Sequence, residues 1–143
     1  MDNEKLYYVA TYGTLMRGQY NYCCMQDAHG QFIEPIISEN PSYEMVDVHN
    51  SFPGIVHGES YFTGELFIVP ESKLTILDSL EGYPILYDRI VIKYKGLDTN
   101  KSYSALTYVL SSSILSSDYS SQFLPSQYSK HIQFENNTYK WFK

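Results

Sequence analysis

Glu81 is a carboxylate set among apolar side chains in residues 70–81, Pro-Glu-Ser-Lys-Leu-Thr-Ile-Leu-Asp-Ser-Leu-Glu. At roughly 100° per residue, Leu74, Leu77 and Leu80 form one buried stripe, and Glu81 falls between the Leu74 and Leu77 directions. Partial burial and the negative end of the helix both disfavour the charged form, so the carboxyl pKa is expected to rise towards neutrality. A group tuned in this way can accept a proton and return it. Position alone leaves a second reading open, a helix-end glutamate that turns into water or pairs with a Lys or Arg.

A second candidate is the turn Tyr12-Gly13-Thr14-Leu15-Met16-Arg17-Gly18. Glycines at its two ends let the backbone bend sharply and approach a ligand, leaving amide N–H groups for a carboxylate or oxyanion. The Gly-x4-Gly spacing is that of a phosphate loop, but Gln19-Tyr20 stands where Lys-Ser/Thr is required, so nucleotide binding is rejected. The plainer reading is a loop that only ends a strand. Arg17 could clamp a substrate carboxylate or face solvent. Tyr87 and Arg89 could line a pocket beside Glu81 or serve as packing residues.

Other chemistries lack their signatures. His29, His49, His57 and His131 have no metal-ligand spacing with one another or with the cysteines, so a zinc site is not expected. The many serines lack a Gly-x-Ser-x-Gly elbow. Asn136-Asn137-Thr138 matches a glycosylation acceptor, an accidental match in a cytosolic chain.

The elements that would position these groups are mostly strands. Strand signals cover residues 6–12, 31–38, 43–49, 60–69, 87–94, 101–110, 131–135 and 138–142, with Asn136-Asn137 a two-residue hairpin turn. Pro70 and Glu71 open the helix over 70–81, and Gly82 and Pro84 close it. Residues 19–26 suggest a second, short helix, and the serine-rich stretch 111–121 reads as a mobile loop or insertion. Short strands with few helices predict an α+β chain, a small mixed β-barrel with a few peripheral short helices.

Composition narrows the partners. A chain of 143 residues is expected to form a single domain, residues 1–143. The hydrophobic fraction of 43% and charged fraction of 18% are ordinary for a soluble protein. A net charge of −6 argues against nucleic acid or an anionic membrane as partner and favours a small molecule. The start Met1-Asp2-Asn3-Glu4-Lys5 has no signal-peptide character, and no apolar run reaches membrane-spanning length. Adjacent Cys23 and Cys24 are poorly placed to bridge each other, which fits free thiols in a cytoplasmic protein. A monomer or weak homodimer is expected.

Several segments together resemble the gamma-glutamylcyclotransferase-like family, in its gamma-glutamylamine cyclotransferase branch. They are Tyr12-Gly13-Thr14-Leu15 with Arg17-Gly18, Phe52-Pro53-Gly54, Gly64-Glu65-Leu66-Phe67, Leu77-Asp78-Ser79-Leu80-Glu81-Gly82-Tyr83-Pro84, and Tyr87-Asp88-Arg89 with Val91. The likeness covers roughly residues 6–110, and Trp141 corresponds to a closing strand. Ala10-Thr11, Met16 and the stretch 111–121 depart from the pattern. The resemblance implies a barrel with a cavity, a glutamyl group held by Tyr12, Gly13, Thr14 and Leu15, and Glu81 as acid/base. The implied reaction is cyclisation of a γ-glutamyl amide to 5-oxoproline with release of an amine or amino acid, without metal or cofactor. A binding module using the same cavity without catalysis is the alternative, and an acyl-amide cyclase acting on a γ-glutamyl group borne by a protein or secondary metabolite is a further one.

Overall fold

A computed structural model describes residues 4–49, 51–117 and 123–142. Its strands are β1 (Leu6–Thr11), β2 (Gln31–Ser38), β3 (Tyr43–Val48), β4 (Phe52–His57), β5 (Tyr61–Pro70), β6 (Tyr87–Gly96), β7 (Ser102–Leu110), β8 (Phe123–Pro125), β9 (Ile132–Glu135) and β10 (Thr138–Trp141). The helices are α1 (Tyr22–Asp27), α2 (Leu74–Glu81) and α3 (Ser112–Leu115). A seven-stranded sheet runs β1-β7-β6-β2-β5-β10-β9, and a further pairing of β1 with β5 closes its first five strands into a ring. β1 lies parallel to β7 and antiparallel to β5, so the barrel is mixed, as expected from the sequence. A three-stranded antiparallel sheet, β4-β3-β8, packs beside it.

Closure explains why β1 is buried on both faces. Successive side chains of a strand point to opposite sides. Val9 joins an apolar cluster with Met25, Leu74 and Leu77 from the helices, while Ala10 joins a second cluster with Phe62, Tyr94 and Trp141. Gly64 sits where β5 passes the end of β1; a Cβ there would stand 2.4 Å from the Thr11 carbonyl oxygen, a close approach only glycine permits.

The helix predicted over 70–81 is a 3₁₀ turn, Glu71–Lys73, running into α2. Gly82 ends it with φ +64° in the left-handed region, and the Tyr83 N–H donates to the Asp78 carbonyl at 3.0 Å. The Tyr83–Pro84 peptide is cis. Leu74 and Leu77 are buried as expected, each worth about 1.5–3 kcal/mol relative to exposure when fully covered. Leu80 departs from the stripe: it is exposed, because α2 ends there at the mouth of a cavity rather than against the core.

The hairpin at Asn136-Asn137 forms with both residues at positive φ, +53° and +56°. The helix expected over 19–26 is shorter and later, at Tyr22–Asp27. Two strands escape the sequence reading, β4 and β8. β4 holds Pro53 and Gly54, which read as turn residues; among the described residues it is an edge strand paired only to β3, where proline's missing N–H costs no ladder bond. The stretch 111–121 is not a loose loop where it is described. Ser111 is buried, its N–H donates to the Leu86 carbonyl at 3.0 Å, and its Oγ caps α3 by accepting from the Ile114 N–H. The rest, residues 118–121, lies outside the described residues.

Candidate active site

The loop after β1, the residue preceding α1, the start of β4, the end of α2, the chain leading into β6, and β7 converge on a cavity of about 260 Å³. Its wall includes Tyr12, Gly13 and Thr14 from the loop, Leu80 and Glu81 from the end of α2, Leu86 and Tyr87 from the chain that follows, and Phe52, Pro53 and Tyr108. The two candidates that are far apart in sequence therefore share one pocket.

Glu81 is half-buried and lines the cavity. Among the described residues no protein group donates a hydrogen bond to its carboxylate. Burial in this setting lifts its pKa from 4.5 to about 7, so the proton is held about as often as not near neutrality. Such tuning is the property required of a group that both accepts and delivers a proton.

The opposing loop is tied at its edges and open in its middle. The Met16 N–H donates to the Gly13 carbonyl at 3.1 Å, and the Asn21 N–H to the Thr14 carbonyl at 2.8 Å. Among the described residues the N–H groups of Gly13, Thr14 and Leu15 have no protein acceptor. Gly13 lies against Pro53. The Tyr87 hydroxyl, buried, donates to the Pro53 carbonyl at 2.7 Å. The Tyr12 hydroxyl donates to the Tyr108 carbonyl at 2.6 Å and accepts from the Ile55 N–H at 3.2 Å. Burial, reinforced by the nearby Glu81 charge, pushes the Tyr12 pKa well above its usual value, so it stays a neutral donor.

A polar clamp fixes α2 over this wall. Asp78, one turn before Glu81, accepts from Arg89 Nη1 at 2.8 and 2.6 Å and from the Tyr108 hydroxyl at 2.6 Å. Burial, together with the Asp78 carboxylate, holds Tyr108 protonated. Arg89 is thus spent on Asp78 and lies over the Tyr83 ring rather than in the cavity wall.

Two expected substrate contacts do not reach the cavity. The Leu15 side chain is buried in the core, leaving only its backbone to serve the site. Arg17 points to the other side of the loop. Its backbone N–H donates to Glu65 Oε1 at 2.8 Å, its guanidinium donates to Glu65 Oε2 at 3.1 Å, and it stacks on Phe32 at 3.4 Å. It clamps a carboxylate, but one belonging to β5. The sequence reading missed Asn21, Leu86 and Tyr108, whose residue types carry no signal of a site without the barrel that gathers them. Phe52 and Pro53 were visible only as part of a family segment. Among the described residues no group of three or more His, Cys, Asp or Glu side chains could hold a metal ion, and no helix is long and apolar enough to cross a membrane.

A closed mixed barrel with a pocket between a helix-end carboxylate and a loop of open amides is the frame of a small acid/base enzyme. The chain belongs to the gamma-glutamyl cyclotransferase, AIG2-like family, whose model matches residues 9–130. It is similar to gamma-glutamylaminecyclotransferase A of Danio rerio, 32% identical over 118 residues that cover 78% of this chain and 72% of that one. The gamma-glutamylaminecyclotransferase of Homo sapiens is 31% identical over 103 residues, covering 63% of each chain. Among solved structures, an AIG2-like protein from Mus musculus superposes with a TM-score of 0.68 at 26% identity, covering 76% of this chain and 78% of that one.

Proposed function

We propose that this chain, as one domain, cyclises a γ-glutamyl amide to 5-oxoproline and releases an amine. The observation that carries the proposal is a carboxyl poised near pKa 7 that lines the same small cavity as Gly13 and Thr14, whose amides are unpaired among the described residues. At about 260 Å³ the cavity lies just below the range that takes drug-sized ligands, which suits a glutamyl group with its amine directed to the mouth.

The reaction needs little beyond folding the substrate and moving protons. The α-nitrogen attacks the side-chain carbonyl carbon, forming the ring C–N bond, and the amide C–N bond then breaks. Two protons leave the α-ammonium and two reach the departing amine. Glu81, as carboxylate, takes a proton from the ammonium and, as carboxylic acid, delivers it to the leaving nitrogen. The Gly13, Thr14 and Leu15 N–H groups hold the substrate carboxylate or the oxyanion that develops on the attacked carbonyl. Ring closure is intramolecular, so positioning supplies much of the rate.

A panel of γ-glutamylamines and γ-glutamyl amino acids, assayed for 5-oxoproline, tests this reading and names the leaving amine. Release from at least one member, abolished in Glu81→Gln, is expected. Binding of the panel without any turnover, unchanged in that variant, would instead establish a non-catalytic binding module.

A further inference from the structure

Asn21 immediately precedes α1, the place where an asparagine side chain usually accepts from a backbone N–H of the first turn. Here it makes no such cap. Its Nδ2 donates instead to Thr14 Oγ1 at 3.1 Å, while its backbone N–H donates to the Thr14 carbonyl. A residue that withholds a local stabilising contact is a sign of another demand on it. Both Asn21 and Thr14 line the cavity.

The direction of this hydrogen bond has a chemical consequence. A threonine hydroxyl carries one proton and two lone pairs. With a lone pair occupied by the Asn21 N–H, the hydroxyl proton is free to donate elsewhere, and no described protein acceptor takes it. The Thr14 N–H is open as well, so one cavity-lining residue carries two donors without a protein acceptor among the described residues. Without Asn21, the hydroxyl would be free to rotate and donate to water or backbone.

We propose that Asn21 is a positioning residue, which fixes the Thr14 hydroxyl as a donor to the α-carboxylate of the bound glutamyl group. The inference rests on the cyclotransferase reading above. It assigns the hydroxyl to a charge that is present in ground and transition state alike, so its loss weakens binding and leaves the chemical step alone. A hydrogen bond to a charged group contributes about 1.5–3 kcal/mol, which is roughly 10–100-fold in KM.

Steady-state kinetics of Thr14→Val, Asn21→Ala and the double variant, with Thr14→Ser as the conservative control, tests the assignment on the best substrate of the panel. Expected are a KM raised roughly 10–100-fold in each single variant, kcat and the pH profile held close to the wild type, near-normal Thr14→Ser, and a double variant no worse than Thr14→Val. Multiplied losses in the double variant would overturn the proposal, as would Thr14→Val with an unchanged KM. Titration of the folded proteins with 5-oxoproline, followed by backbone amide NMR, reads the same contact without turnover. If the wild type binds it and Thr14→Val and Asn21→Ala bind it more weakly, the assignment holds even where the proposed reaction fails; equal affinities, or no binding by the wild type, would refute it.

Discussion

Glu65 accepts hydrogen bonds from both the backbone and the guanidinium of Arg17, at 2.8, 3.1 and 3.1 Å, and so pins the far end of the substrate loop to β5. The pair is partly solvated, Arg17 being about half exposed, so its direct worth to stability is about 1 kcal/mol or less. Its effect on the site is expected to be larger than its effect on the fold. Glu65→Ala releases the segment that fixes the Gly13–Thr14 turn, and KM should rise roughly 5–30-fold, the equivalent of 1–2 kcal/mol, with the melting temperature nearly unchanged. Glu65→Gln keeps an oxygen for the Arg17 N–H and should fall between the two. Parallel kinetics and thermal melts of both variants check this.

Glu81 should trade stability for activity. Its carboxyl has a pKa of about 7 when folded and 4.5 as the ordinary value. Between these two, the folded protein binds the proton more tightly than the unfolded chain, so the group's contribution to stability is greatest below pH 4.5 and is lost as pH rises through 7. Glu81→Gln removes that loss. At pH 8 the variant should be the more stable protein by on the order of 1–3 kcal/mol, with the difference vanishing towards pH 4. Its turnover should fall by about 10²–10⁴-fold. The wild-type kcat/KM should climb with pH along an acid limb centred near 7, and denaturant melts at both pH values complete the test.

Glu34 is a second buried carboxylate with the opposite tuning. It accepts from the Asp98 and Thr99 N–H groups and from the Thr99 and Tyr103 hydroxyls, which together hold its pKa down at about 2. It leans on Gly96 and braces the turn between β6 and β7. Here the folded pKa lies below the unfolded one, so the stabilisation is present above pH 4.5 and is lost as pH falls towards 2. Glu34→Gln removes the charge and keeps a single acceptor oxygen, so either the Asp98 and Thr99 N–H groups or the Thr99 and Tyr103 hydroxyls meet an amide NH₂ in place of an oxygen. It should melt at lower temperature at pH 7 and show a flatter acid-unfolding curve between pH 4.5 and 2, with catalysis unaffected at permissive temperature.

What the sequence discloses and what it hides follow from range. Glu81 and the Gly13–Thr14 turn were legible because each is announced by neighbours: Pro70 and Gly82 around the helix, glycines around the loop. Most strands were legible through their β-rich composition. The failures depend on closure. Arg17 could be recognised as a carboxylate clamp, but its carboxylate lies 48 residues away on β5. Tyr108 reads as an ordinary strand tyrosine until β1 pairs with both β5 and β7. β4 was hidden by its own proline and glycine, which are tolerated only because β3 is its sole strand partner among the described residues. Leu80 obeyed helical periodicity in sequence and lost its burial to the cavity mouth.

The two glycines that bound the loop should respond differently to a single methyl group. A Cβ on Gly13 would stand 2.5 Å from Pro53 Cγ and 2.7 Å from Cδ. The proline ring cannot rotate away, and its carbonyl is held by Tyr87, so the loop itself must shift. Overpacking of this kind costs about 1–3 kcal/mol, and a displacement near 1 Å of a substrate-holding backbone can cost on the order of 10²-fold in rate. Gly18 has open space around it but a φ of +81°, so alanine there strains the backbone without touching the cavity. Gly18→Ala should therefore lower the melting temperature with kcat/KM within a few-fold of wild type, whereas Gly13→Ala should lose both. Equal losses of kcat/KM in the two variants would mean that the loop responds to general strain rather than to the Gly13–Pro53 contact.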